Sequence, residues 1–206
     1  MGVNNSKIET KLAAKLAQWQ FSRDQTLAVA FSGGGDSTAL LQVLLNWTTS
    51  DVHAFIVDHG LRSGSAQEAK LAQSRAQAIG ANAKILTCVW PEGVPKTGLQ
   101  EKARNARYRL LAQACDDLGI DGLPLFTGHN QDDQAETVMM REAAGSGWRG
   151  LAGISEKTVM PLTPTISGTR VYRPLLGCTR TELRDYNFAH GLEWIEDPSN
   201  ENRSFA

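Results

Sequence analysis

Three clusters of residues have the types and spacing to do chemistry, and the first is a phosphate grip. Phe31-Ser32-Gly33-Gly34-Gly35-Asp36-Ser37 sets three glycines between two hydroxyls and a carboxylate. Glycines let the backbone turn sharply and bring its N–H groups against an anion. A helix starting at that point adds unpaired N–H donors and a partial positive charge. Ser32 and Ser37 supply hydroxyl donors for phosphate oxygens. Asp36 alone would repel phosphate, so its presence points to Mg²⁺ bridging carboxylate and phosphates. The segment matches neither G-x-x-x-x-G-K-[ST] nor G-x-G-x-x-G, which disfavours a P-loop NTPase and a dinucleotide site. The plain alternative is a glycine turn with no ligand.

Gly128-His129-Asn130-Gln131-Asp132-Asp133-Gln134-Ala135-Glu136-Thr137 is the second cluster. On a helix, His129, Asp132, Asp133 and Glu136 fall at i, i+3, i+4 and i+7 and share a face. Carboxylates so close repel one another unless they hold Mg²⁺ or a cationic substrate, or water solvates them. The metal reading takes Asp36 and Asp132 as ligands. The third cluster is Arg104, Arg107 and Tyr108, on one face of a helix with Leu111. Arginines there could hold phosphate, a carboxylate or RNA backbone, or simply face solvent. Asp58 and His59, in Val57-Asp58-His59-Gly60-Leu61-Arg62, are pocket candidates beside a nucleotide base.

The elements that must position these clusters alternate. Residues 7–19 read as an amphipathic helix, and Leu27–Phe31 as a short apolar run suited to a buried parallel strand. A helix over Ser37–Trp47 follows, then a strand over Val52–Val57. Ser65–Ile79 is a helix ended by Gly80, and Ala83–Val89 a third strand. A proline- and glycine-rich loop leads to a long helix, Leu99–Leu118, stopped by Gly119. Leu123–Thr127 is a fourth strand and Asn130–Ala143 a helix. Short strands at Val159–Met160 and Arg170–Tyr172 and a helix over Thr179–His190 complete the pattern. Strands alternating with helices predict an α/β fold: a doubly wound, Rossmann-like parallel sheet with helices on both faces. Ligands of such sheets sit beyond the carboxyl ends of the strands. Ser32–Ser37, Asp58–Arg62 and Gly128–Glu136 each follow a strand directly, so the pattern gathers the polar clusters at one edge.

Length and composition set outer bounds. The 206 residues make one domain, with a core over about 20–145 and 146–206 as its C-terminal part. A net charge of −1 carries no nucleic-acid signature of its own. Cys88, Cys115 and Cys178 are odd in number and form no C-x-x-C, which argues against disulfides, zinc or an iron–sulfur site. Reduced thiols in a cytoplasmic protein are the expectation. No apolar stretch is long enough to span a bilayer, so no membrane partner is expected. The sequence leaves the oligomeric state open, a homodimer included.

S-G-G-x-D-S after a strand resembles the signature of the N-type ATP pyrophosphatases, the PP-loop superfamily with an adenine nucleotide alpha hydrolase-like fold. Further segments resemble one of its branches, the tRNA(Ile)-lysidine synthases. They are Ser32–Leu40, Val57–Arg62, Ala103–Leu111, Gly128–Thr137, Gly145-Ser146-Gly147 with Gly150-Leu151, Arg173–Leu176, and Trp194 through Asp197–Asn200. The resemblance implies ATP and Mg²⁺ as cofactors, and tRNA(Ile) with a CAU anticodon and free L-lysine as partners. ATP would adenylate the C2 oxygen of the wobble cytidine, and the ε-amine of lysine would displace AMP. On this chain Ser32, Gly33, Gly34, Gly35, Asp36 and Ser37 would hold the outer phosphates. Asp58, His59, Gly128 and His129 would line the nucleotide pocket. Asp133 and Glu136, helped by Asp132, would hold the lysine ammonium, and Arg104 and Arg107 would position phosphate or RNA. The Gly145–Gly147 loop would line the cytidine or lysine entrance.

Two departures from the family pattern stand out. Ala144 replaces the usual arginine before G-S-G, with Arg149 nearby as a substitute, and the family's further tRNA-binding domains are absent from these 206 residues. The alternatives are another PP-loop enzyme that modifies tRNA or forms an amide or thio product, and an ATP-binding module without turnover.

Overall fold

The computed structural model describes residues 5–91, 93–145, 152–161 and 168–196. Along the chain these form α1 (Asn5–Gln18), β1 (Leu27–Ala30), α2 (Gly35–Trp47), β2 (Val52–Asp58), α3 (Ser65–Ala78) and β3 (Asn82–Thr87). Then come α4 (Leu99–Asp117), β4 (Pro124–Thr127), α5 (Gln131–Ala143), β5 (Lys157–Val159), β6 (Arg170–Tyr172) and α6 (Arg180–Ala189). The six strands lie in the order β3-β2-β1-β4-β6-β5. All neighbours are parallel except β5, which runs antiparallel to β6 at the edge.

Period-two alternation along the strands separates two cores. Leu27, Val29, Val52, Ala54, Ile56 and Phe126 point to one face, where α1, α2, α3 and α6 cover them. Ala28, Phe55 and Leu125 point to the other, against Tyr108, Leu111 and Cys115 of α4. Leu12, Leu16, Leu40, Leu41 and Leu44 are completely buried, each worth about 1.5–3 kcal/mol relative to exposure. The parallel, doubly wound expectation is met, with helix stops at Gly80 and Gly119 as predicted. One boundary moves in an informative way: α2 starts at Gly35, so the last loop glycine and Asp36 already belong to its first turn.

β1 lies between β2 and β4, so the segments leaving β1 and β4 diverge and open a crevice beyond the strand ends. All three cysteines are buried and free. No helix of the described residues is long and apolar enough to cross a membrane.

Candidate active site

The glycine loop is built to present bare amides. Gly34 caps α2 with φ −76° and ψ 166°, and no side chain bonds to the helix's first amides. Those donors are left for a ligand. Ser37 Oγ donates to the Gly34 carbonyl at 2.9 Å and lies 3.1 Å from Ser32 Oγ. The hydroxyls therefore also shape the loop. Gly33 sits at φ +82°, and a Cβ there would lie 2.9 Å from both Ala72 Cβ and Ile195 Cδ1. The loop is backed from behind: the Gly33 carbonyl accepts from Ile195 N at 2.8 Å, and the Gly35 carbonyl from the buried Asn187 Nδ2 at 2.8 Å. Carbonyls engaged in that way cannot turn to repel an anion in the cleft.

The turn after β4 presses directly on this helix start. A Cβ on Gly128 would lie 3.1 Å from Asp36 C and Ser37 N, so glycine lets the two backbones meet without either being pushed aside. The contact brings Asp36 to α5. Asn130 caps α5 in a capping box with Asp133: its Oδ1 accepts from Asp133 N at 3.0 Å, and Asp133 Oδ2 accepts from Asn130 N at 3.1 Å. The same Asn130 donates from Nδ2 to Asp36 Oδ2 at 2.9 Å.

Arg180, from the far end of the chain, completes the cluster. Its Nη2 is 3.2 Å from Asp133 Oδ1 and 3.8 Å from Glu136 Oε1, and its Nε is 3.9 Å from Asp36 Oδ2. Its backbone N–H donates to Asp132 Oδ2 at 2.9 Å. Burial pushes the Asp36 carboxyl up to about 6; Arg180 and Asn130 oppose the rise, while Asp133 and Asp132 add to it.

Sequence spacing placed four side chains on one helical face, and the structure divides them. His129 precedes the helix, and its Nδ1 pairs with Thr127 Oγ1 at 2.8 Å. Burial, followed by Arg173, Arg107 and Arg104, brings the His129 pKa down to about 4 against the pull of Asp133, so the ring is neutral at pH 7. Asp132 turns to the start of α6. Asp133 and Glu136 meet Asp36 around Arg180. Among the described residues no three acidic, histidine or cysteine side chains form a ready metal cage.

Arg104 and Arg107 flank the buried Tyr108 ring at 5.1 and 5.3 Å from its centroid. Burial and Arg107 together lower the His59 pKa. Asp58 Oδ1 accepts from Gly60 N at 2.9 Å and shapes the turn after β2. A cleft of about 610 Å³ joins Ser32, Asp36, Asp58, His59, Arg107 and His129, with Asp133 and Gly128 also on its wall. Arg104, Asp132 and Glu136 are not part of that wall. Ser146, Gly147, Arg149 and Asp197–Asn200, named from sequence, lie outside the described residues.

Sequence reasoning missed Asn130, Asn187 and Arg180. A signal for Arg180 was present. Thr179-Arg180-Thr181-Glu182 is a capping-box pattern that marks a helix start, and a cation just inside a helix N-terminus opposes the macrodipole. A residue placed against that preference is held there by something else.

A match to the PP-loop domain extends over residues 4–206. The chain belongs to the PP-loop family. Among curated relatives of this PP-loop chain, the tRNA(Ile)-lysidine synthase of Hyphomonas neptunium is 40% identical over 185 residues, covering 88% of this chain and 48% of that protein. The tRNA(Ile)-lysidine synthase of Mesorhizobium japonicum is 42% identical over 186 residues, covering 85% and 39%. That of Anaplasma marginale is 37% identical over 203 residues, covering 97% and 41%. The chain thus spans less than half the length of these relatives. Among solved structures, the U34-tRNA thiolase NcsA from Methanococcus maripaludis with its [4Fe-4S] cluster matches with a TM-score of 0.77 at 19% identity, over 95% of this chain and 67% of that one. That likeness establishes the PP-loop fold.

Proposed function

We propose that this PP-loop chain is the catalytic part of a tRNA(Ile)-lysidine synthase. It adenylates the wobble cytidine of an isoleucine tRNA with a CAU anticodon and passes that carbon to the ε-amine of free L-lysine. The observation that carries the reading is the meeting of two devices at the β1/β4 crevice. Uncapped amides of α2 suit an outer phosphate, and the carboxylates of Asp36, Asp133 and Glu136 suit cations. Relatives named for this activity match 85–97% of the chain.

The steps follow from charge. Pyrophosphate leaves the α-phosphorus of ATP as the C2 oxygen of cytidine attacks it, and the loop amides with the α2 dipole stabilise the departing charge. Asp36 fits a divalent cation, because its partly desolvated carboxylate lies among like charges that a cation would neutralise. Asp36 would hold Mg²⁺, which would supply positive charge to offset the negative charge of the triphosphate. Asp133 and Glu136 would receive the lysine ammonium. One of these carboxylates would take a proton from the ammonium; the neutral amine then attacks C2, AMP departs with the oxygen, and the newly bonded nitrogen sheds a second proton. His129 and His59 favour their neutral forms and suit contact with an uncharged base or ribose.

The thiolase chemistry of the fold neighbour fits this chain less well, since none of its three cysteines lines the cleft. Pyrophosphate release tests the reading. It should require both ATP and a tRNA(Ile) anticodon stem-loop, and lysine-dependent AMP release should accompany it. Nucleotide binding without pyrophosphate release would leave only a binding module; release without lysine dependence would point to another acceptor. Glu136→Gln should raise the lysine KM about tenfold, a loss of roughly 1.4 kcal/mol typical of one ion-pair contact. ATP affinity should move less than twofold. An unchanged lysine KM would remove Glu136 from the amine pocket.

A further inference from the structure

Arg180 occupies the first position of α6, where a cation opposes the helix dipole. Its backbone is pinned by Asp132, and Thr179 and Glu182 cap the helix independently of its side chain. The guanidinium is one-third exposed (32%) and lies at 3.2, 3.8 and 3.9 Å from three separate carboxylates, bonding closely to Asp133 alone. It can therefore swing away without unravelling the helix. Asp133 has one oxygen committed to the α5 cap, and Arg180 holds the other. The oxygen that an ammonium needs is thus already occupied by a cation belonging to the chain.

We propose that Arg180 is a resident counter-ion of the amine pocket. It neutralises Asp36, Asp133 and Glu136 in the free protein, and the incoming substrate ammonium displaces it. This rests on the reading of Asp133 and Glu136 as the amine site. Competition between two cations for one set of carboxylates is a negative coupling, so Arg180 sets how strongly and how selectively amines bind. A bare amine gains too little to displace the guanidinium. A ligand with additional contacts, such as the α-amino and α-carboxylate groups of lysine, offsets that cost. Arg180 is a positioning and specificity residue and has no part in bond making.

The test is calorimetry on the full chain at saturating Mg²⁺ and α,β-methylene-ATP, with L-lysine and cadaverine as probes. Arg180→Met should bind lysine about five- to tenfold more tightly than the unmodified chain. Cadaverine should gain by a larger factor than lysine, which narrows the preference for lysine. Arg180→Lys keeps a competing cation and should return lysine affinity to within about threefold of the starting value, a rescue that a purely structural role does not produce. Equal or weaker lysine binding by folded Arg180→Met would overturn the inference while leaving the amine pocket intact. Absence of lysine binding in the unmodified chain would remove the pocket and the inference with it, a separate outcome. A second readout covers a variant that does not fold. In the unmodified chain the Arg180 side-chain ¹⁵Nε resonance should shift on saturation with lysine, and a resonance that stays in place would refute displacement.

Discussion

Asp36→Asn should abolish ATP-dependent pyrophosphate release and, in the same protein, raise the melting temperature. The loss of activity follows from the position of Asp36 in the first turn of α2, beside the outer phosphates of the proposed nucleotide. An amide cannot provide the negative oxygen that a bridging cation needs, and a drop of roughly 10³-fold in kcat/KM is the scale of losing one such electrostatic contact. The gain in stability comes from burial. The folded carboxyl titrates at about 6 against an ordinary 3.8. Between those pH values the folded chain keeps a proton that the unfolded chain releases, so stability falls as pH rises through that window and stays lower above it. Each unit of pKa is worth about 1.4 kcal/mol, and asparagine should recover about 1–3 kcal/mol at pH 8, or several degrees in a domain of this size. At pH 3, where Asp36 is largely protonated in both states, the two proteins should melt nearly together. Thermal melts at the two pH values, read beside the pyrophosphate assay, check both halves. An inactive variant that melts lower at pH 8 would contradict this account of the site.

Gly33→Ala should lower stability and weaken nucleotide binding together. The residue is held at φ +82°, where a Cβ carries about 1–2 kcal/mol of strain. The new methyl would also lie 2.9 Å from Ala72 Cβ and Ile195 Cδ1. Ala72 is on α3 and cannot rotate away, so the loop or the Ile195 segment must move. Overpacking adds about 1–3 kcal/mol, for a total near 2–5 kcal/mol. The melting temperature should fall by roughly 5–15 °C, and Mg·ATP affinity at least tenfold, because the amides no longer point together. Circular dichroism melts and a nucleotide titration measure the two effects. Retention of both would mean that the loop is not the phosphate grip.

Much of this architecture was legible in the sequence because its signals are local. Short apolar runs, helix-stopping glycines and polar clusters directly after strands each depend on a few neighbouring residues. They sufficed to place Ser32–Ser37 and Gly128–Glu136 on one edge. The chemistry within that edge was less legible because it depends on residues distant along the chain. Asn130 read as part of a helix, yet it bonds Asp36 across 94 positions. Arg180 and Asn187 reach the loop and its carboxylates only because β6 lies beside β4 and returns the chain to α2. Periodicity also assigned His129 to a helix that begins two residues later, since the capping box at Asn130 sets the start. The repulsion expected among the carboxylates is real, and its relief by a guanidinium could not be seen until the sheet order was known.

The support behind the glycine loop has a consequence for how the protein is made. Ile195 and Asn187 hold the Gly33 and Gly35 carbonyls from more than 150 positions downstream. A nascent chain emerging from the ribosome can pair β1 with β2 early, yet its glycine loop stays unbraced until α6 and the residues after it have cleared the exit tunnel. On the proposed reading of that loop as the phosphate grip, a fragment released before residue 187 has the signature sequence without the brace the grip needs.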